Sequence, residues 1–225
     1  MVLIERRVIE AAKDYKYLLN RGYNAELSLN LVSNRYSLSK YEKLLLYRCI
    51  HSDEIAKDIR SKLVPPTEVK GNVLIIDGFN VLMTVTSMLE GDTLFLCDDG
   101  LIRDLRSLRS RGLLIESPIL RESLNLVNNV VNELSPSKVV FILDKQVSWS
   151  AVLSRMVNEV TGFDVLLSGR ADKEVIIRST EGVISSSDVV ILMKAPKIYD
   201  VAGHVIRVKG YSKIIDILKY LKEGI

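Results

Sequence analysis

A chain of 225 residues has room for one large domain, or for one ordinary domain and a small one. Its 48% hydrophobic and 26% charged residues exclude a disordered chain and describe a globular protein with a sizeable core. A formal charge of +3 is too small to announce a nucleic-acid partner, although residues 1–70 carry 13 Lys+Arg against 9 Asp+Glu and the remainder 18 against 19.

Residues 3–62 predict helices. Ile4, Val8, Ala11, Ala12, Tyr15, Leu18 and Leu19 recur at three-and-four spacing, and Gly22 suits a C-terminal cap. A second helical pattern covers Asn24–Ser33, Ser39 with Glu42 has capping-box spacing and opens a third, and a fourth runs over Ser52–Leu63. Pro65-Pro66 cannot continue a helix. The organisation expected is therefore a helical domain over 1–64, a linker over 65–72 and an α/β domain over 73–225.

From residue 73 short apolar runs alternate with helical patterns. Strand Val73–Ile76 precedes helix Asn80–Leu89, and strand Thr93–Cys97 precedes helix Gly100–Ser110. Helix Ser117–Leu134, strand Val139–Leu143, helix Trp149–Val160, strand Val165–Leu167, helix Ala171–Ser179 and strand Val183–Ser185 follow. A strand over Val205–Val208 and a helix over Ser212–Leu221 close the series. This alternation predicts an α/β fold, a mostly parallel sheet with helices on both faces. Trp149 is expected to anchor its helix in the core. His51 and His204, the latter at the start of a strand, are expected to be structural.

In such a sheet, ligands gather beyond the carboxyl ends of the strands. Asp77 follows the first run, Asp98-Asp99 the second, and Asp144 the run Val139–Leu143. Ser168-Gly169-Arg170-Ala171-Asp172-Lys173-Glu174 follows Val165–Leu167, and Ser186-Ser187-Asp188 follows Val183–Ser185. Carboxylates from five runs are thus expected on one edge of one sheet. Acids forced together repel unless a cation sits among them, and a hard ion such as Mg²⁺ or Mn²⁺ prefers oxygen donors. Each acid also has an ordinary alternative. Asp77-Gly78 with Asn80 suits a turn and a helix cap, and Asp98-Asp99-Gly100 is turn-like. Asp144 suits a solvated position, Asp172 and Glu174 suit a first helical turn, and Ser187 and Asp188 suit a cap.

The ordered motifs Asp77-Gly78-Phe79-Asn80, Phe141-Ile142-Leu143-Asp144, Ala171-Asp172-Lys173-Glu174 and Ser185-Ser186-Ser187-Asp188 resemble the PIN-like nucleases, nearest to the branch of NYN domains and their YacP-type relatives. The resemblance covers residues 71–210. It implies a Rossmann-like α/β sheet and a Mg²⁺- or Mn²⁺-dependent ribonuclease that hydrolyses a phosphodiester with water activated by the ion. It further implies Asp77, Asp144, Asp172 and Asp188 as metal ligands, with Asn80 and Ser187 as polar supports. Where those relatives carry a second acid directly after Ala-Asp, this chain has Lys173. The alternative it leaves open is a catalytically silent module that binds RNA or protein.

Residues 17–48 resemble the helical domain known as domain of unknown function 434, found ahead of a PIN-like part in archaeal and some bacterial proteins. There Arg21, Arg35, Lys40, Lys43 and Arg48 interleave with Tyr23, Tyr36, Tyr41 and Tyr47. Such a set suits phosphates and bases, but it equally suits a small core with a solvated face, which is preferred. There is no G-x-x-x-x-G-K-[ST], no G-x-G-x-x-G and no H-E-x-x-H, so no nucleotide cofactor is expected. A phosphohydrolase with an Asp nucleophile is disfavoured, because Asp144-Lys145-Gln146 lacks the second acid of D-x-D. Cys49 and Cys97 share no metal spacing, and the charged opening Glu5-Arg6-Arg7 does not suit a signal peptide. A cytoplasmic protein with no membrane segment, RNA as partner and a homodimer as an open option is expected.

Overall fold

The computed structural model describes residues 4–106 and 119–222. In chain order the front carries α1 (Arg6–Asn20), α2 (Ala25–Arg35), α3 (Lys40–Cys49) and α4 (Asp53–Ser61). Then come β1 (Val73–Asp77), α5 (Gly78–Leu89), β2 (Leu94–Leu96), β3 (Ile102–Arg103), α6 (Leu120–Leu134) and β4 (Lys138–Asp144). The remainder is α7 (Ser150–Thr161), β5 (Asp164–Ser168), α8 (Ala171–Arg178), β6 (Gly182–Ser185), α9 (Val189–Lys194), α10 (Val201–Val208), β7 (Ile214–Asp216) and α11 (Ile217–Lys222).

These elements form two compact units. The first joins residues through Ser61 to Thr93–Leu105 and the segment from Ser212 onward; the second is Lys62–Asp92 with Arg106–Tyr211. The four front helices form as the sequence reading expects. Asn24 caps α2 by accepting from the Leu27 amide at 3.0 Å, and Ser39 and Glu42 make both bonds of the capping box. The surrounding unit is not all-helical, however. Its core of Val8, Tyr15, Leu45, Leu46 and Cys49 is completed by Phe95, Cys97 and Ile215 from a three-stranded sheet in the order β3-β2-β7. The α/β domain expected to be continuous over 73–225 is thus interrupted by Thr93–Leu105 and ends at Tyr211. Strands of two or three residues carry no periodicity that could announce this.

Three local expectations are corrected. Val205–Val208 is not a strand. Val201, Ala202, Val205 and Ile206 are buried at one-and-four spacing, and Asp200 starts α10 by accepting from the Gly203 amide at 2.7 Å. His204 therefore sits in a helix, where its Nδ1 lies 2.6 Å from the Tyr199 hydroxyl. Gly100–Ser110 is not a helix over its described part, because Ile102–Arg103 pairs antiparallel with β2; residues 107–110 lie outside the described residues. The closing helix begins only at Ile217, since Ile214–Asp216 pairs in parallel with β2. The start expected at Ser117 for the next helix also falls outside the described residues, and α6 runs from Leu120.

The second unit is the α/β fold that the alternation of runs predicts. Its sheet has the order β5-β4-β1-β6 with every pairing parallel. Parallel crossovers are right-handed, so β1 to β4 to β5 places α6 and α7 on one face. The return from β5 to β6 places α8 on the other. Two glycines set the spacing. A Cβ on Gly182 would stand 2.1 Å from the Val73 carbonyl oxygen, and one on Gly78 would stand 2.2 Å from the Phe141 ring. Among the described residues, no helix is long and apolar enough to cross a membrane.

Candidate functional site

Written in the order of their appearance, the four strands of the second unit run third, second, first, fourth across the sheet. The direction of winding therefore reverses between β1 and β6. A doubly wound sheet binds ligands outside the carboxyl ends at this reversal, where loops diverge and leave a crevice. Asp77 ends β1 there, and Ser186 follows β6.

Asp77 begins α5 by position, yet its side chain makes no capping bond. Its Oδ2 instead accepts from the Asn80 side-chain carboxamide Nδ2 at 2.5 Å and from the Ser186 hydroxyl at 2.7 Å. Asp77 is only 6% exposed, so this carboxylate is withdrawn from water and held by donors from α5 and from the end of β6. Each hydrogen bond to an ionised group contributes about 1.5–3 kcal/mol. The turn-and-cap reading fails for Asp77.

The other acids differ. Asp188 does cap: its Oδ1 accepts from the Val190 amide at 2.7 Å and from Ile191 at 3.3 Å, while its own amide bonds to the Ser186 hydroxyl at 3.0 Å. Asp144 spends one oxygen on the Gln146 amide at 2.8 Å. Asp77 pairs with Ile142 across the ladder, so Asp144 lies one strand over and two residues further, roughly 8 Å away and on the same pleat face. Asp172 is exposed in the first turn of α8, and Ser187 is half-buried between Ser186 and Asp188. Lys173 is exposed, and Glu174 is tied to Arg178 at 2.8 Å. Oxygen donors thus share one edge, but Asp77, Asp144, Asp172 and Asp188 bring no three carboxylates within 4.8 Å of one another among the described residues.

The one described trio that close is His51, Asp98 and Asp99, in the first unit. Asp98 and Asp99 follow β2, which belongs to the three-stranded sheet, so they do not join the edge where Asp77 lies. Both are fully buried. Arg103 grips Asp99 at 2.5 and 2.7 Å, and Lys16 meets Asp98 at 2.9 Å. The His51 Nδ1 lies 2.6 Å from Asp98, and the Arg60 guanidinium donates to the Asp98 carbonyl. Burial alone would raise the Asp99 carboxyl, but the Arg103 charge overrides it and holds the group below its usual range. A divalent ion here would face Arg103 and Lys16, which already neutralise the acids. This is a structural charge knot. The His51 Nε2 is buried without a hydrogen-bond partner, and nothing in the fold accounts for it.

Sequence reasoning missed one feature. Trp149, expected in the core, is 58% exposed and stands in the left-handed region with φ 69°. A bulky side chain there costs about 1–3 kcal/mol and collects at functional positions. The signal was legible only as an aromatic in the loop that leaves β4. A cavity of about 330 Å³ lined by Ser135, Lys138, Gly162 and Asp164 lies at the amino end of β4 and β5, away from the acids. In the front helices, Tyr23, Tyr41 and Tyr47 are more than half exposed, which corrects the expectation that the tyrosines build the small core, whereas several of their neighbours are committed to their own unit. Arg48 meets Asp104 at 3.3 Å, Lys43 meets Asn30 at 2.6 Å, and Tyr36 donates to Asp14 at 2.7 Å.

Comparison with known proteins finds two family models along the chain. Over 152 residues, the chain is 36% identical to the uncharacterized protein MJ0935 of Methanocaldococcus jannaschii, covering 67% of this chain and 72% of that one. No solved structure matches it. Residues 7–62 match the family described as Protein of unknown function (DUF434). Residues 66–204, more than half the chain, match a second family model, and the protein therefore belongs to the family described as Domain of unknown function (DUF5616).

Proposed function

We propose that the second unit is a PIN-like, divalent-metal-dependent ribonuclease acting in the cytoplasm, with its site at the reversal point between β1 and β6. The observation that carries this reading is Asp77: a buried carboxylate at the sheet's ligand edge that its own helix does not use as a cap, oriented by Asn80 and Ser186. Asp144 and Asp188 each keep a second oxygen for a cation, Asp172 would complete the set, and Ser187 would support it. All are hard oxygen donors suited to Mg²⁺ or Mn²⁺. A bound ion would supply Lewis acidity, neutralising charge on a scissile phosphate and making water a nucleophile at neutral pH. Purified full-length protein incubated with structured and unstructured RNA should cleave in Mn²⁺ and not in chelator. Asp77→Asn should lower the rate roughly a thousandfold or more. Cleavage that survives Asp77→Asn would sink the proposal.

A second reading has an observation of its own. Glu174, the acid nearest to the place where relatives carry their second, is paired with Arg178, and Lys173 occupies that place. RNA binding that ignores chelator, with no turnover under any metal, would select a silent binding module.

A further inference from the structure

We infer that the rim beyond β4 and β5 is a landing surface for a single-stranded, unstacked stretch of polynucleotide, with Trp149 stacking on a base and Lys145, Arg170 and Lys173 meeting phosphates. The inference rests on the nuclease reading above and gives it a substrate form.

Two independent features point there. The first is the presentation of Trp149. Its loop is pinned to the end of β4 because the Val147 amide and the Ser150 hydroxyl both donate to the Asp144 carbonyl, at 3.2 and 2.6 Å. The indole is thereby held in a left-handed backbone conformation, exposed, one residue from a group bonded to the candidate ligand strand. Burial does not account for the strain, because the ring is mostly in water. An exposed aromatic face is what base stacking requires.

The second feature is charge. Lys145, Arg170 and Lys173 are exposed, and among the described residues none of their side chains has an acidic partner. The two loops that carry them are tied together. The Lys145 amide donates to the Ser168 carbonyl at 2.9 Å, and the Gln146 side chain donates to the Gly169 carbonyl at 2.9 Å. The Lys145 stem lies over Gly169, where a Cβ would come within 2.8 Å of its Cε, so the absence of a side chain at 169 gives this lysine its path. Phosphates supply the missing counter-charge. A duplex keeps its bases stacked on one another and offers the indole no face, so the ligand selected is single-stranded.

Trp149 is the only tryptophan in the chain, so its emission reports this surface alone. Full-length protein in chelator should be titrated with a twelve-residue oligouridylate and with a duplex of equal length. The expected result is saturable quenching by the single strand and binding at least about tenfold weaker for the duplex. By anisotropy of a labelled oligonucleotide, Trp149→Gly should lose about tenfold in affinity. Its melting temperature should not fall, because glycine relieves the left-handed backbone. Lys145→Ala with Lys173→Ala should weaken binding further and flatten the salt dependence by about 0.7 per cation in the log–log slope. Absence of quenching, equal binding of duplex and single strand, or an unchanged affinity in Trp149→Gly would each overturn the inference. Quenching without any Asp77-dependent cleavage would overturn the nuclease reading and leave this one standing. Cleavage without quenching would do the reverse.

Discussion

Among the places where an apolar strand of this protein runs into aspartate, two behave in opposite ways. After β2, Asp98 and Asp99 are buried completely and meet Lys16, Arg103 and His51 within hydrogen-bonding distance. After β1, Asp77 is almost as buried, and its Oδ2 accepts from the side chains of Asn80 and Ser186. The first arrangement has its carboxylates closed by Lys16 and Arg103, and the His51 Nε2 is the atom in it that lacks a hydrogen-bond partner among the described residues. The second keeps an acid dry and oriented at the edge where a doubly wound sheet receives ligands. An acid at a strand end is therefore not a signal by itself; what surrounds its oxygens decides.

The largest effect should come from opening the closed knot. Arg103→Leu leaves Asp99 buried with its main counter-charge gone, which costs about 3–5 kcal/mol. The melting transition of the first unit should fall accordingly, while Asp77→Asn, which keeps an oxygen for both of its donors, should change stability by about 1 kcal/mol or less. Equal losses in the two variants would erase the distinction. Acid titration separates them further. The Asp99 carboxyl is held below its ordinary range, so the stability it contributes is intact above the unfolded pKa of about 4 and drains away only as pH falls through the lower folded value. Arg103→Leu should remove that acid-labile contribution.

Somewhat smaller is the cost of Gly182→Ala. The new methyl would press on the Val73 carbonyl, which is backbone and cannot move without breaking the β1–β6 pairing. About 1–3 kcal/mol should be lost. Any Asp77-dependent activity should fall with it, since that pairing brings Ser186 to Asp77. Activity that is indifferent to this change would mean that the reversal point does not matter to the chemistry.

Metal titration by thermal shift sharpens the contrast directly. At a hundred times its dissociation constant, Mn²⁺ bound only to the folded chain stabilises by about 2.7 kcal/mol. The shift should vanish in Asp77→Asn and persist in His51→Gln. The opposite pattern would move the ion into the first unit and refute the description of the Asp98–Asp99 knot as self-neutralised.

Much of this contrast was readable beforehand, and the part that was not has a physical cause. The alternation of buried runs and helical patterns gave the parallel sheet, because strands covered on both faces are apolar throughout. The capping pair Ser39 and Glu42 gave the start of α3. Val205–Val208 reads as a strand because β-branched residues favour one, yet burial on one stripe of the helix Val201–Val208 outweighs that weak preference. The placement of Asp98 and Asp99 was lost for a different reason. Which sheet a three-residue strand joins is set by long-range pairing, and Leu94–Leu96 chooses Ile214–Asp216, more than a hundred residues away. Asp77, Asp144 and Asp188 could be assigned to one sheet edge from the sequence, but the division of labour among them could not. Asp188 and Asp77 both stand at the start of a helix and differ in the donors their oxygens meet.

The smallest expected effect lies in the core that surrounds the closed knot's unit. Tyr15 is 2% exposed, and burial, with the neighbouring Tyr47 adding to it, pushes its phenol up to about 12. In the unfolded chain the same phenol ionises near 10. Below pH 10 both states hold the proton, and Tyr15 adds no pH dependence. Between pH 10 and 12 the unfolded state gives up its proton first, so stability should fall by up to about 2 kcal/mol and then level off. Tyr15→Phe has no proton to lose and should flatten that part of the alkaline profile relative to the parent. Asp99 keeps its Arg103 partner over this range, because the guanidinium is held well above its ordinary value by Asp99 despite its burial. A parent and a Tyr15→Phe variant that lose stability in parallel above pH 10 would show that the phenol is not shielded, and that the dry interior argued for this unit extends no further than the knot itself.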